Sequence, residues 1–436
     1  MSIGAERDGR GDGARDGRGR GAGRPRRALI LVENLPVPLD RRVWLEATTL
    51  AAHGYAMSVI CPTGKGWDAP FEEIEGVRIH RYPAPPEAHS GALAYAREYG
   101  HALRHMRRLA REVATGRGFD LIHGCNPPDL LYLVAKPWRR RGVGYLFDHH
   151  DVCPELFEAK FGAGRRRALH ALMRRLERAS FREASVSLAT NESFRRVAIE
   201  RGGMAPEDVF VVRSAPQVER FTPGPADPAV RRGASAVMGY VGVIGQQEGM
   251  DLLVAAADHL VRDLGVADAR FVVVGFGPEL PAVQRDVAER GLSGHFDFTG
   301  PLYGEDLLRA LNSCDIGVAP DPKNAMNDIS TMNKVMEYMT LRKPVVQFDL
   351  VEGRASAGDA SLYARPNDPL DFARCLKALI DDPERRARMG EIGRARVLER
   401  LSWDASVPPL LAAYDRAFAK MGFAPREGAG AGTPGA

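Results

Sequence analysis

ARFVVVGFGPEL (residues 269–280) is the stretch that sets the architecture of this chain. Phe271, Val272, Val273 and Val274 form the short apolar run expected of a strand buried on both faces. Gly275 and Gly277 then permit a tight turn and close backbone approach, and Pro278 opens a helix. Leu280 stands where a dinucleotide fingerprint has its third glycine, so nicotinamide binding is not the reading, although a nucleotide touching the turn is compatible with it. The same unit recurs on either side. Upstream, a strand at 237–241 runs into the turn GVIGQQEG (242–249), which lacks the Gly-Lys-Ser/Thr ending of a P-loop. Downstream, strands are predicted at 296–299, 316–319 and 344–348, with helices at 303–312 and 332–341 between them and further helices at 369–381 and 383–400.

Alternation of the same kind fills the first half of the chain. Strands are predicted at 28–33, 57–61, 76–82, 120–123, 145–148, 185–189 and 209–213, and helices at 40–53, 93–115, 127–141, 165–184 and 192–201. Repeated β-α-β units imply a parallel sheet with helices on both faces. The Pro/Gly-rich segment FTPGP (221–225) interrupts the pattern as a linker would. The expectation is α/β: two doubly wound, Rossmann-like domains, 28–213 and 214–404, facing a central cleft. A last helix at 408–421, within a segment 405–421, crosses back to the first domain. Segments 1–27 and 422–436 have no apolar face and are expected to be disordered tails.

Composition narrows the function. The 436 residues are 44% hydrophobic and 27% charged, a globular balance. No apolar run reaches the ~18 residues of a membrane span, and no apolar core follows the basic N-terminus as in a secretory leader. Five scattered cysteines without CxxC pairing read as reduced cytoplasmic thiols. Residues 1–27 carry eight arginines and four acids; without them the chain is neutral. That tail lacks aromatic residues to stack bases, so no nucleic-acid partner is expected. Residues 101–182 hold 17 basic against 8 acidic residues, including Arg139–Arg141, Arg165–Arg167, Arg174, Arg175, Arg178 and Arg182. Such a cluster either holds a protein on the anionic inner face of the plasma membrane or is a solvated helix face.

Ligands of open parallel sheets sit beyond the carboxyl ends of strands, so loops after strands carry the chemistry. NDISTMNKVMEY (327–338) is the richest. Thr331 is read as an N-cap, and the free amides at that helix start as an anion site suited to a diphosphate. Lys334 adds a charge, and Glu337, three residues on, can accept both hydroxyls of a ribose diol. The bland alternative is a surface Lys–Glu pair. Gly245 and Gly277 mark turns near the ligand. In FDHHD (147–151), adjacent histidines do not converge on one ion, so no metal is expected; His149 and His150 read instead as hydrogen-bond donors to sugar hydroxyls. In NLPVPLDRR (34–42), Asn34 opens the loop, and Arg41 and Arg42 can meet phosphates, with solvation the alternative for at least one.

Taken together, ENLPVPLDRRVWLEA (33–47), DHHDVCPEL (148–156), TNES (190–193), YVGVIGQQEGMDLL (240–253), VVVGFGPEL (272–280), FTG (298–300), STMNKVMEYMTLRKPVVQFDLVEGR (330–354) and SAGDASLYA (356–364) resemble retaining glycosyltransferases of family 4, with the GT-B fold, over residues 28–421. The resemblance is closest to enzymes building cell-surface polysaccharides and lipopolysaccharide. It implies a nucleotide diphosphate sugar, uridine- or guanosine-linked, in the second domain. It implies a glycan or polyprenyl-linked acceptor in the first, retention at the anomeric carbon, and no metal or other cofactor. By the resemblance Glu337 binds ribose, residues 330–333 touch sugar and diphosphate, Gly277, Gly300 and Leu302 lie near the base, and His149 lies beside the transferred sugar. Departures are specific. Ile329 stands where the family has a first glutamate, with Asp328 or Asn327 as substitutes. Val243 and Glu248 stand where it has Arg and Lys, leaving cationic support to Lys334, Arg213, Arg41 and Arg42. His149, Asp328 and Lys334 are thus the catalytic candidates. Two alternatives share the fold: a sugar-nucleotide epimerase, and a non-catalytic sugar-nucleotide-binding protein.

Overall fold

The computed structural model describes residues 24–84, 92–161, 167–216 and 218–425. Most of both expected tails, and Arg165 and Arg166 of the basic cluster, lie outside the described residues. Fourteen strands alternate with helices along the described chain. The first eight are β1 (Arg27–Leu31), β2 (Ala56–Pro62), β3 (Phe71–Ile74), β4 (Val77–Tyr82), β5 (Leu121–Cys125), β6 (Gly144–His149), β7 (Val186–Ala189) and β8 (Val209–Val211). They form one sheet in the order β3-β4-β2-β1-β5-β6-β7-β8, parallel except where β3 turns back on β4. The remaining six are β9 (Val237–Val243), β10 (Arg270–Phe276), β11 (Phe296–Gly300), β12 (Ile316–Ala319), β13 (Val345–Phe348) and β14 (Ser361–Ala364). Their order, β11-β10-β9-β12-β13-β14, is wholly parallel.

The apolar runs are buried as the periodicity requires: β2, β5 and β6 have no exposed residue. Elements without such runs escaped the sequence reading. β3 is FEEI, an edge strand with Phe71 and Glu73 exposed and Glu72 paired with the buried Arg81, and β14 is only four residues long. Helices Cys153–Phe161 and Val351–Ala357 are short and weakly patterned.

Three expectations are corrected. Arg24–Arg27 are tied down and do not belong to a disordered tail: Arg24 makes two 2.8 Å bonds to Asp120, Arg26 pairs with Asp415 at 2.5 Å, and β1 starts at Arg27. The helix expected from 127 begins only at Tyr132. The last helix is Trp403–Lys420, with Pro408 and Pro409 inside it, not at its start. Burial of Leu410, Ala413, Tyr414, Ala417 and Phe418 against the first sheet outweighs the amide hydrogen bonds those prolines cannot make.

That helix does cross back. Tyr414 packs edge-on against Tyr55 with ring centroids 5.3 Å apart, and Trp403 Nε1 donates to Thr49 Oγ1 at 2.8 Å. A second apolar seam joins the lobes: Met326 and Ile329 of the C-terminal lobe pack on the N-terminal core cluster that includes Phe147 and Phe194. Ile329, in the place of a charged family residue, is therefore an interlobe packing residue.

Candidate active site

The carboxyl ends of β6, β9 and β12 meet across the cleft. A cavity of about 250 Å³ lies there, lined from the N-terminal lobe by Asp151 and Val152 and from the C-terminal lobe by Glu248, Asp321, Asn327 and Met332.

Glycines hold the C-terminal wall by close packing. A Cβ on Gly277 would sit 2.2 Å from the Ile244 carbonyl oxygen, and one on Gly275 only 1.9 Å from that of Gly242. The two glycine turns thus interlock backbone to backbone, a contact that only glycine at 275 and 277 allows. Gly245 is fixed by Glu248, whose carboxylate accepts its amide at 3.1 Å, and burial raises the Glu248 carboxyl. Glu248 consequently brings no cation to the cleft. Gly300 turns at φ +72°, and Leu302 packs half-buried on the edge of the lobe.

The stretch 327–338 enters the cleft as a 3-10 turn (Asn327–Ile329), an extended link, and the helix Asn333–Thr340. Its N-cap is Met332, not Thr331, and no side chain caps it. The first amides of this helix are therefore open to a ligand. Ser330 Oγ donates to the Met326 carbonyl at 2.7 Å. Thr331 is used across the cleft, its Oγ1 accepting from Asn191 Nδ2 at 3.0 Å; the same amide donates to the Ile329 carbonyl at 2.9 Å.

Lys334 is not a free cation. Its Nζ bonds both oxygens of Asp321 at 2.8 and 3.0 Å and lies 4.9 Å from the centroid of the Tyr240 ring. Burial lowers the Lys334 ammonium, but Asp321, Tyr240 and Glu248 together more than compensate and the net shift is upward. Asp321, the second residue beyond β12, was not singled out from the sequence; its position after a strand was the available signal.

Glu337 lies one turn deeper. Burial raises its carboxyl to about 7, against the opposing pull of Arg41, Lys334 and Arg220. Arg41 reaches it from the other lobe, Nη1 to Oε1 3.9 Å, and is itself half-exposed.

The remaining candidates divide. Asp328 is engaged within its own lobe: its carboxylate accepts the Val351 amide at 2.9 Å and pairs with Lys323 at 3.0 Å. Asn327 does line the cavity, its side chain held by the Gln247 and Pro322 carbonyls at 2.9 Å each. His149 is fully buried among Phe147, Phe181 and Phe194, with Nε2 3.6 Å from Glu177, because alternation along β6 turns it into the core. It cannot reach a sugar in this arrangement. His150 turns to the opposite face, its Nε2 2.5 Å from Asp148 and 2.8 Å from Arg42 Nε. Asn126 presents it and Asp151 by accepting both backbone amides, at 2.6 and 3.1 Å.

Arg42 is a buried strut and not a phosphate ligand. It grips Asp148 at 2.9 and 3.2 Å, Glu46 at 3.2 Å and the Val212 carbonyl at 2.7 Å. Burial raises Glu46, whereas Arg42 and His150 hold Asp148 low against its own burial. Glu46, Cys125, Asp148 and His150 have the spacing of a cation site, but the Arg42 guanidinium already supplies positive charge there. Arg213 sits where the last helix crosses, its amide donating to Ser406 Oγ at 3.1 Å and its buried Nη1 unpartnered. Asn34 is exposed on the rim of the N-terminal lobe.

Comparison with known proteins places these features. Residues 235–382 match the family described as glycosyl transferases group 1, and residues 39–215 the glycosyl transferase 4-like domain. The D-inositol 3-phosphate glycosyltransferase of Stackebrandtia nassauensis is 30% identical over 418 residues, covering 87% of this chain and 87% of that protein. The 2-deoxystreptamine glucosyltransferase of Streptomyces kanamyceticus is 26% identical over 310 residues, covering 69% and 78%. Among solved structures, sucrose-phosphate synthase of Thermosynechococcus elongatus superposes with a TM-score of 0.72 at 17% identity, covering 91% of this chain and all of that one. Anabaena HepE in complex with UDP-glucose gives 0.66 at 15%, covering 89% and 99%. Two facing parallel sheets, the crossing helix and these relatives lead to one statement: the chain belongs to the glycosyltransferases of the GT-B fold, with group 1 and GT4-like domains.

Proposed function

We propose that this glycosyltransferase moves a sugar from a uridine or guanosine diphosphate donor with retention at the anomeric carbon and without a metal. The carrying observation is the placement of Glu337, buried in the cleft one turn into a helix whose first amides are uncapped. The ribose diol donates to the Glu337 carboxylate, and the diphosphate lies on the amides of 332–334 with Arg41 closing from the opposite lobe. As the sugar–phosphate bond breaks, those amides and Arg41 stabilise the charge growing on the departing diphosphate, which is the task a metal would otherwise perform. Lys334 acts through Asp321 in this scheme. The sugar itself projects into the cavity beside Asn327 and Asp151.

The acceptor side is the N-terminal lobe. We infer a glycan or polyprenyl-linked acceptor of cell-surface polysaccharide synthesis, used at the inner face of the plasma membrane, with the basic helix Arg167–Glu183 lying against the anionic leaflet. No helix among the described residues is long and apolar enough to cross a membrane. The relatives favour a second reading, since several are named for small cyclitol acceptors, 2-deoxystreptamine or inositol 3-phosphate. A thermal-shift panel of uridine, guanosine and deoxythymidine diphosphate sugars, followed by product analysis with and without acceptor, tests the proposal. Transfer only when an acceptor is present supports it. Conversion of the donor alone would point to an epimerase, and binding without turnover to a non-catalytic protein.

A further inference from the structure

A second cavity, of about 440 Å³, opens at the amino ends of β7 and β8, the opposite end of the first sheet from the donor cleft. Ser185 and Asp208, which line it, are the residues just before those strands. Elements far apart in the chain build it. The basic helix Arg167–Glu183 supplies Arg178 and Arg182, the crossing helix Trp403–Lys420 supplies Lys420, and the turn at 202–205 supplies Met204. The floor is apolar: a Cβ on Gly202 would lie 2.6 Å from the Phe181 ring, so the backbone there is laid against a buried phenylalanine. The rim is cationic. Asp208 is the only acid that lines the cavity among the described residues, and it is already held by Lys420 and, at 2.9 Å, by Arg416. Lys420 Nζ also donates to the Ser185 carbonyl at 3.0 Å, which pins it in place. Arg178 and Arg182 are exposed and pair with no carboxylate among the described residues. Glu183, next in sequence, is turned to Lys136 and Arg139, at 3.6 and 4.0 Å.

Like charges four residues apart on one helix face repel, and a bound anion relieves the repulsion between Arg178 and Arg182. With Arg416 and Lys420, four cations gather about the single carboxylate of Asp208, an excess suited to a dianion. Guanidinium forks match phosphate oxygens bidentately, and the volume falls within the roughly 300–1,000 Å³ of small-molecule sites. We infer that this cavity is a second anion site, for a phosphate monoester whose phosphate lies between Arg178, Arg182 and Lys420 and whose organic part rests on Phe181 and Met204. The headgroup of phosphatidic acid and a soluble phosphate ester share this chemistry. The site goes beyond the leaflet contact proposed above, because a cavity selects one kind of headgroup where a charged face attracts anions alike. It lies away from the donor cleft and does not depend on the chemistry there.

The test is calorimetry on the full chain, with UDP added to fill the donor cleft. The probes are glycerol 3-phosphate, dihexanoyl phosphatidic acid below its micellar concentration, and dihexanoyl phosphatidylglycerol, a phosphodiester. Phosphatidic acid is expected to bind tenfold or more tighter than phosphatidylglycerol. Arg178→Gln with Arg182→Gln is expected to weaken the monoesters tenfold or more. Arg174→Gln with Arg175→Gln, which removes as much charge from the same helix outside the cavity, is expected to weaken them less than twofold. Ala205→Trp, which keeps every charge and adds bulk at the wall, is expected to weaken phosphatidic acid tenfold. All five positions are exposed, so the fold is expected to tolerate these changes. Phosphatidic acid binding tenfold tighter than glycerol 3-phosphate marks a lipid as the source and equal binding a soluble ester; either supports the site. No saturable binding of either monoester, phosphatidylglycerol bound as tightly as phosphatidic acid, equal losses in the two arginine pairs, or unchanged binding in Ala205→Trp would overturn the inference. Because the probes are soluble, failure of vesicle binding with these affinities intact counts against the leaflet reading alone.

Discussion

The side-chain amide of Asn191 in the N-terminal lobe donates to the carbonyl of Ile329 in the C-terminal lobe at 2.9 Å, while its Oδ1 accepts the Phe194 amide at 2.8 Å. One fully buried residue thus caps a helix on its own lobe and clamps the loop that leads into the donor helix on the other. Nearby, the Ser193 amide donates to Glu352 at 3.1 Å, a second polar tie between the lobes.

Asn191→Asp separates the two tasks. Aspartate caps as well as asparagine, but it presents a carboxylate to the Ile329 carbonyl in place of an N–H. The expected result is a lowered thermal midpoint, since a fully buried carboxylate then faces a carbonyl, together with kcat/KM for the donor about tenfold lower, ~1.4 kcal/mol of transition-state stabilisation. Asn191→Ala should lose a further ~1 kcal/mol of stability with the cap. Wild-type kcat/KM in Asn191→Asp would show that the clamp does not order the donor loop.

Glu337 ties stability and donor binding to pH. Its folded carboxyl is raised to about 7 from 4.5, so its contribution to stability is complete below 4.5 and lost as pH rises through 7. The difference is on the order of 3 kcal/mol at most. Glu33 acts in the same window and direction. Glu337→Gln should remove a large part of that slope in denaturant titrations at several pH values. Donor affinity should run the other way, rising as Glu337 ionises, and Glu337→Ala should depress transfer by orders of magnitude with the fold intact. Unchanged turnover in purified Glu337→Ala would refute the ribose role.

Lys334→Ala leaves Asp321 buried without its counter-ion, which costs about 3–5 kcal/mol. The double variant with Asp321→Asn should recover much of that loss, because the stranded charge is gone. Nucleoside diphosphate binding should still be weakened more than nucleoside binding in the double variant if the pair also orders the phosphate-facing amides; calorimetry with UDP and uridine measures both, and equal losses would argue against a phosphate role.

The basic helix Arg167–Glu183 exposes Arg174, Arg175 and Arg178. Vesicle sedimentation with phosphatidylserine should show binding that falls steeply with salt, each arginine contributing about 1 kcal/mol near the surface. Reversal of the three to glutamate should abolish it, and binding that survives the reversal would mark the helix as a solvated face.

What could be read in advance follows from the range of the forces involved. The strand runs, the two-lobe division and the returning helix are local patterns of apolar side chains, and ALILVE or FVVVG has few ways to be buried. Glycine turns and the richness of 327–338 were legible for the same reason. Which polar group faces the cleft was not. His149 and His150 are adjacent and chemically alike, yet strand alternation buries one among phenylalanines and turns the other to Asp148 and Arg42 on the opposite face. Arg41 and Arg42 divide likewise, one toward Glu337 across the cleft and one into a buried carboxylate cage. Lys334 looked free until Asp321, 13 residues away, was seen to hold it. The sequence alone therefore determined the α/β layering and the loops that follow the strands, because hydrophobic burial depends on near neighbours. Only the tertiary structure decided which charges are spent on one another and which remain for a substrate, because pairing depends on approach between residues far apart in the chain.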